Sequence, residues 1–129
     1  MINVTCAIIE KDDHVLVTQR SELMSLPLKW EFPGGKINET ETEEDCILRE
    51  IYEELNINVQ VVSKLTPNIY QYPNKKIKLI PFVCHFLEGQ IILLEHKEYK
   101  WLKPHQLKQL DWAEADLPIL EEYLILKNA

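Results

Sequence analysis

Cysteine is scarce in this chain: Cys6, Cys46 and Cys84 are the only three in 129 residues. They form no CxxC pair and lie far apart, which speaks against a zinc ribbon or a dithiol redox motif. Each sits among apolar neighbours, where a free thiol behaves as a small hydrophobe. Three reduced core thiols of a cytoplasmic protein are expected. No apolar run approaches the roughly 20 residues of a membrane-spanning helix, so no membrane partner is expected. The start, Met1-Ile2-Asn3-Val4-Thr5, has no basic stretch ahead of an apolar one and does not read as a secretory signal. Basic residues are also few. Fourteen Lys and Arg stand against 21 Asp and Glu, for a net charge of −7. Nucleic-acid polymers are held by clustered Lys and Arg, so such a partner is not expected.

What remains is an ordinary globular composition, 46% hydrophobic and 27% charged. The length suits one domain, residues 1–129, with a core that needs no disulfides. Residues 2–9 and 14–20 are rich in β-branched side chains, and Glu10-Lys11-Asp12-Asp13 between them reads as a turn. Residues 21–29 read as a loop. Trp30-Glu31-Phe32 is a short strand stopped by Pro33-Gly34-Gly35. A helix is expected over 42–55, strands over 59–71, 76–87, 90–94 and 98–102, a short helix after Pro104 and a last helix over 113–126. This order predicts an α/β (α+β) sandwich and disfavours a simple βαβ wind.

The acidity is uneven. Residues 39–54 are dense in Asp and Glu, with Arg49 their only basic residue. At about 100° per residue, Ile47, Leu48, Ile51, Tyr52 and Leu55 form an apolar sector. Glu50, Glu53 and Glu54 fall beside it at the i, i+3, i+4 spacing of helical neighbours, with Glu43 pointing roughly the same way. Like charges so placed weaken an isolated helix by a few tenths of a kcal/mol per pair, roughly. A hard divalent cation such as Mg²⁺, which takes carboxylate oxygens, waters and phosphates, would explain the cluster; a solvated acidic helix face is the alternative. His14, His85, His96 and His105 have no i, i+4 partner, so a zinc or facial-triad iron site is the weaker idea.

Residues 35–57, GKINETETEEDCILREIYEELNI, decide between these. They resemble the Nudix box, G-x5-E-x7-R-E-U-x-E-E-x-G-U, with U a bulky aliphatic residue. Gly35, Glu41, Arg49, Glu50, Ile51, Glu53, Glu54 and Ile57 all match at the right spacing. Asn56 replaces the final Gly, and Asn is the next-best residue for the left-handed conformation that often follows a helix. Trp30–Lys36, Leu16–Arg20 and Asp111–Pro118 are similar to further segments of the MutT-like branch. The resemblance implies a Nudix fold, an α/β/α sandwich around a mixed sheet.

It also implies roles. Glu50, Glu53 and Glu54 would ligate Mg²⁺, with Mn²⁺ a substitute and the Gly34 carbonyl completing the shell. Gly34 and Gly35 would let backbone approach a cation or phosphate. Glu41 would support the ligands from behind, and Arg49 would orient a carboxylate through a charge-assisted bond. Glu95 or Glu98 would add a ligand from a later loop, and Glu53 or that loop glutamate would be the base. Arg20 and Lys36 would meet phosphate. Asp116 would read a base presenting an amino or ring N–H group, such as cytosine or a guanine type. Phe32, Tyr70 and Tyr72 are stacking candidates, and aromatic packing awaits at least two of them.

The expected activity is cleavage of an oxidised or modified (deoxy)nucleoside triphosphate to monophosphate and pyrophosphate by a monomer or homodimer whose partner is the small nucleotide. A Nudix hydrolase of another nucleoside diphosphate derivative, such as a nucleotide sugar or dinucleoside polyphosphate, is the second reading. A non-catalytic nucleotide sensor is the third, disfavoured because all three box glutamates are present. A structural Ca²⁺ helix lacks the D-x-D-x-D-G loop it would need.

Overall fold

The computed structural model describes residues 1–129. Its centre is a parallel pair. Strand β1 (Ile2–Lys11) runs beside β7 (Lys75–Gly89), with Ile2 opposite Ile77 and Glu10 opposite His85. Residues 5–9 of β1 are buried without interruption, as a strand covered on both faces must be. Alternate side chains serve two cores. Cys6 and Ile8 join Val15, Val17, Ile119, Leu120, Tyr123 and Leu124 on one face. Ala7 and Ile9 join Leu16, Ile47, Ile51 and Leu55 on the other. Helices α1 (Glu43–Leu55) and α2 (Leu117–Leu126) supply the last members of the two sets, so they cover opposite faces of the sheet, the three layers the resemblance implied.

Around this pair the sheet is antiparallel. β2 (His14–Gln19) returns from β1 through a two-residue turn in which Asp12 and Asp13 both have positive φ, the twist that matches a hairpin. β3 (Trp30–Glu31) and β8 (Glu98–Leu102) both pair with β2. Phe32 and Pro33 do not end the sheet. The chain re-enters it as β4 (Gly34–Lys36) against β1. The continuous strand expected over 59–71 is two, β5 (Ile57–Lys64) and β6 (Asn68–Tyr72). Pro67 lies between them, where a missing N–H breaks a ladder, and each pairs with a different part of long β7. Residues 90–94 form no strand. Instead Ile92 N–H and Leu94 N–H donate to the carbonyls of Leu55 and Glu54, at 3.0 and 3.2 Å, using acceptors that the end of α1 leaves free.

Helix α1 begins at Thr42, whose hydroxyl accepts the Asp45 N–H at 3.0 Å. It ends at Asn56, in the left-handed region at φ 62°. Its buried row is Cys46, Ile47, Ile51 and Leu55. Leu48 and Tyr52, expected in that sector, are 39% and 56% exposed, because the helix lies on the sheet along one i, i+4 row and theirs is the next. Glu43 pairs with Lys64 of β5 at 2.7 Å and stays outside the glutamate cluster. The last helix starts later than expected: Glu114–Asp116 is a 3₁₀ turn leading into α2, and the short helix after Pro104 is 3₁₀ as well. No helix is long and apolar enough to cross a membrane.

A polar bond docks α2. The Tyr123 hydroxyl donates to Glu10 at 2.5 Å, and Lys127 Nζ lies 2.8 Å from the same carboxylate. Burial alone would raise the Glu10 carboxyl, but the bonds from Lys127 and Tyr123 outweigh it and hold it below its ordinary value. A lowered folded value means stability present above the unfolded value and lost as pH falls through the folded one. Tyr123→Phe is expected to lower stability by about 1–2 kcal/mol at pH 7, with the difference from wild type shrinking below pH 4.5. Urea melts at the two pH values measure it; an equal loss at both would disprove the linkage.

Candidate active site

A cavity of about 290 Å³ opens between β4, the end of α1 and the segment before α2. Gly34, Gly35, Lys36, Glu54, Glu95 and His96 line one part; Phe32, Tyr72, Ala113, Ala115 and Asp116 line another; Arg20 and Glu31 lie along it too. Glu98 stands on β8 opposite Gln19 and does not reach it, so of the two loop glutamates only Glu95 is at the cavity.

Gly34 and Gly35 are required by close approach. A Cβ on Gly34 would stand 1.9 Å from the Thr5 carbonyl oxygen, and one on Gly35 would stand 2.3 Å from the Glu50 carboxylate. Glu50 therefore lies directly over the backbone of β4. Arg49 organises what surrounds it. Its Nε and Nη2 donate to the two oxygens of Glu41 at 2.6 and 2.8 Å, and its Nη1 donates to Glu50 at 2.9 Å and Glu53 at 3.1 Å. Nη2 also reaches the Lys36 carbonyl at 3.2 Å. The paired guanidinium, helped by the Asn38 N–H, holds the Glu41 carboxyl at about 2, while the carboxylates push the Arg49 value up.

Glu50 and Glu53 are turned onto Arg49, and no three acidic, cysteine or imidazole side chains converge on one point. Glu54 differs. It is largely buried, its Oε2 has no hydrogen-bond partner, and burial pushes its carboxyl up to about 7. His96 draws that value down, and Glu95, Glu50 and Glu31 push it further up. An unpartnered buried oxygen beside further carboxylates is a donor set that fits a hard divalent cation.

At the other part of the cavity, the chain at 111–113 pairs with β3: the Asp111 carbonyl accepts the Trp30 N–H, and the Ala113 N–H donates to the Trp30 carbonyl, both at 2.8 Å. That pairing delivers Asp116 to the Phe32 N–H, which it accepts at 2.9 Å. Asp116 makes no side-chain cap on α2. Burial raises its carboxyl well above the ordinary range, and the nearby Glu31 adds to this. Phe32 is buried against Trp112, ring centroids 4.8 Å apart. Tyr72 lines the cavity with its hydroxyl accepting the Ala115 N–H, whereas Tyr70 is bonded to Glu114 and does not reach it. Arg20 is already engaged: it donates to the Ser25 carbonyl and hydroxyl at 2.6 and 2.9 Å and to Glu31 at 2.9 Å.

The raised Asp116 value carries a stability consequence. Above its unfolded value the unfolded chain gives up a proton that the folded chain retains, so stability falls as pH rises through that window. Asp116→Asn keeps an acceptor for Phe32 N–H and removes the dependence. The variant is expected to melt higher than wild type at pH 8 and by less at pH 4; a lower melting temperature at pH 8 would show that the carboxyl is not penalised by burial.

The NUDIX domain family model matches residues 1–123. The chain belongs to the Nudix family. It is similar to the CTP pyrophosphohydrolase of Escherichia coli K12, 32% identical over 129 residues that cover 100% of this chain and 96% of that protein. It is also similar to the 8-oxo-dGTP diphosphatase of the same strain, 29% identical over 85% of each. Among solved structures, the MutT Nudix hydrolase of methicillin-resistant Staphylococcus aureus 252 superposes with a TM-score of 0.76 at 42% identity, over 94% of this chain and 93% of that one. The chain is thus an enzyme, a Nudix hydrolase of the MutT-like kind, from a family that uses divalent metal ions.

Within this Nudix site, sequence reasoning missed Glu31 and His96. Glu31 stands between two aromatic residues and His96 within the charged run Glu95–Glu98, where neither stands out. The one available signal for His96 was the apolar stretch Ile91–Leu94 just before it, which argued that this loop returns to the core.

Proposed function

We propose that this Nudix hydrolase is a Mg²⁺-dependent pyrophosphohydrolase of a (deoxy)nucleoside triphosphate, with a CTP-like or oxidised, 8-oxo-dGTP-like base. The observation that carries the reading is one cavity that joins Glu54, Glu95 and the Gly34–Lys36 backbone to Phe32 and Asp116. That layout suits a triphosphate at one part and a base at the other. Glu50, Glu53, Glu54 and Glu95, with the Gly34 carbonyl, would hold the cation. When bound, the cation neutralises phosphate charge and activates the attacking water.

The chain's own residues do the rest. A water oxygen bonds to phosphorus, the bond to the pyrophosphate oxygen breaks, and the water's proton passes to a carboxylate, Glu53 or Glu95. Arg49 and Glu41 hold Glu50 and Glu53 in place. Lys36 meets phosphate charge, and Arg20 shapes the wall through Glu31 and Ser25. Phe32 and Asp116 meet the base. Burial raises the Asp116 carboxyl and so favours its protonated form; a protonated carboxyl both donates and accepts, which suits the mixed edge of cytosine or of an oxidised guanine.

The test is a panel of canonical, oxidised and methylated nucleoside triphosphates, nucleotide sugars and dinucleoside polyphosphates. Pyrophosphate and monophosphate release would be followed with Mg²⁺, after EDTA, and after Mg²⁺ is restored. Pyrophosphate from a triphosphate, abolished by EDTA and recovered with Mg²⁺, is the expected result. Preferred turnover of a nucleotide sugar would overturn the substrate assignment, and turnover in EDTA would overturn the metal.

A further inference from the structure

The His96 side chain is enclosed within the candidate site, 2% exposed. Its backbone is fixed on both sides: Leu94 N–H donates to the Glu54 carbonyl, and Lys97 N–H donates to the Gln19 carbonyl at 2.9 Å. Its Nε2 lies 2.9 Å from Glu31 Oε2. The other Glu31 oxygen accepts from Arg20. A carboxylate paired with a guanidinium is an acceptor, so Nε2 carries the proton and donates. Nδ1 then faces Glu54 Oε2 at 3.5 Å, and neither atom has a hydrogen-bond partner.

We propose that His96 is a positioning residue: held by Glu31 and Arg20, its imidazole backs the buried Glu54 Oε2 and keeps the carboxylate turned toward the cavity for a divalent cation. The inference rests on the reading of the site as a Mg²⁺ centre. The line Arg20, Glu31, His96, Glu54 runs through three different parts of the sequence and ends on a box carboxylate. Without the imidazole, Glu54 would turn away from the cavity into the vacated space. A buried polar group with an orphaned nitrogen serves packing poorly, since each such atom is penalised. Groups that orient metal ligands from behind commonly alter metal affinity or activity by about 10–100-fold when removed.

The experiment measures Mn²⁺ affinity by paramagnetic resonance of the free ion, with no nucleotide present, alongside kcat, KM and the melting temperature. His96→Leu removes both nitrogens. His96→Gln places an amide near the Nε2 position and keeps a donor for Glu31. His96→Asn is too short to reach Glu31. His96→Leu and His96→Asn are expected to bind Mn²⁺ about 10–100-fold more weakly, with kcat lowered and KM for the nucleotide within about twofold, and His96→Gln to recover most of the affinity. A purely structural histidine would lower the melting temperature and leave Mn²⁺ affinity alone. Wild-type affinity in folded His96→Leu, or in His96→Asn should the leucine variant not fold, overturns the proposal while Nudix turnover by the wild type stands. A wild-type protein that neither binds Mn²⁺ nor hydrolyses a triphosphate overturns the site reading and this inference together.

Discussion

Glu54→Gln is expected to lower kcat by about a thousandfold, some 4 kcal/mol in barrier, and at the same time to raise the melting temperature of the metal-free protein. Both effects follow from one placement. The Glu54 carboxylate is set into the cavity wall with an oxygen that nothing in the protein satisfies. Burial drives its folded value to about 7 from an ordinary 4.5. The folded chain therefore holds a proton that the unfolded chain has released over that window. Stability declines as pH rises from 4.5 to about 7, and the whole penalty is present above it. After allowance for solvent screening this amounts to about 1–2 kcal/mol at pH 8. A glutamine has no such penalty, so the gain should be present at pH 8 and absent at pH 4. It has also lost the anionic oxygen that a hard cation selects, and turnover goes with it. Glu53→Gln is the informative companion. Its side chain is half exposed and bonded to Arg49, so it should lose activity with no stabilisation. Pyrophosphate release at saturating Mg²⁺ and thermal melts in EDTA measure the two effects. Full turnover in Glu54→Gln would remove the residue from the active site, and equal stability at both pH values would remove the burial argument.

A site that weakens the fold carrying it is a site the sequence can advertise, and the glutamates did so through local spacing alone. The i, i+3, i+4 carboxylates and the left-handed Asn56 depend on neighbours within one or two turns. The turn at Asp12–Asp13 was legible for the same reason. What stayed hidden depends on partners remote in the chain. His96 meets Glu31 across 65 residues, and nothing in Glu95–Glu98 separates a core histidine from a surface one. Asp116 reaches the Phe32 N–H because Trp30 pairs with residues 111–113, a contact that no local pattern encodes. The segment 90–94 shows a subtler limit. Its burial alternates as a strand's would, since Ile91 and Leu93 pack on the α1-side core while Ile92 and Leu94 are exposed. Alternation reports which side chains face inward, and only the backbone partner decides whether a ladder forms. Here that partner is the end of α1, and the same contact carries His96 onto Glu54.

The two adjacent glycines of β4 should fail in different ways when given a methyl group. Gly34→Ala sets its Cβ against backbone, 1.9 Å from the Thr5 carbonyl oxygen and 2.7 Å from Cys6 Cα. Neither atom can yield without parting β4 from β1, the strand at the centre of both cores. A loss of about 3 kcal/mol or more is expected, at the upper end of overpacking penalties. Gly35→Ala first meets the far end of a side chain, the Glu50 carboxylate at 2.3 Å. That group can rotate away, so the fold should lose less than about 1 kcal/mol. Glu50 would then leave its place over the β4 backbone, and its bond to Arg49 would break or shift. Misplacement of one ligand by about an ångström can lower turnover by about a hundredfold. Urea melts and Mg²⁺-dependent pyrophosphate release on both variants separate the outcomes: an unstable Gly34→Ala, and a stable, slow Gly35→Ala. Near wild-type turnover in Gly35→Ala would mean that Glu50 need not sit over β4 for the reaction. A Gly34→Ala protein as stable as wild type would mean that the β1–β4 contact is looser than its geometry requires.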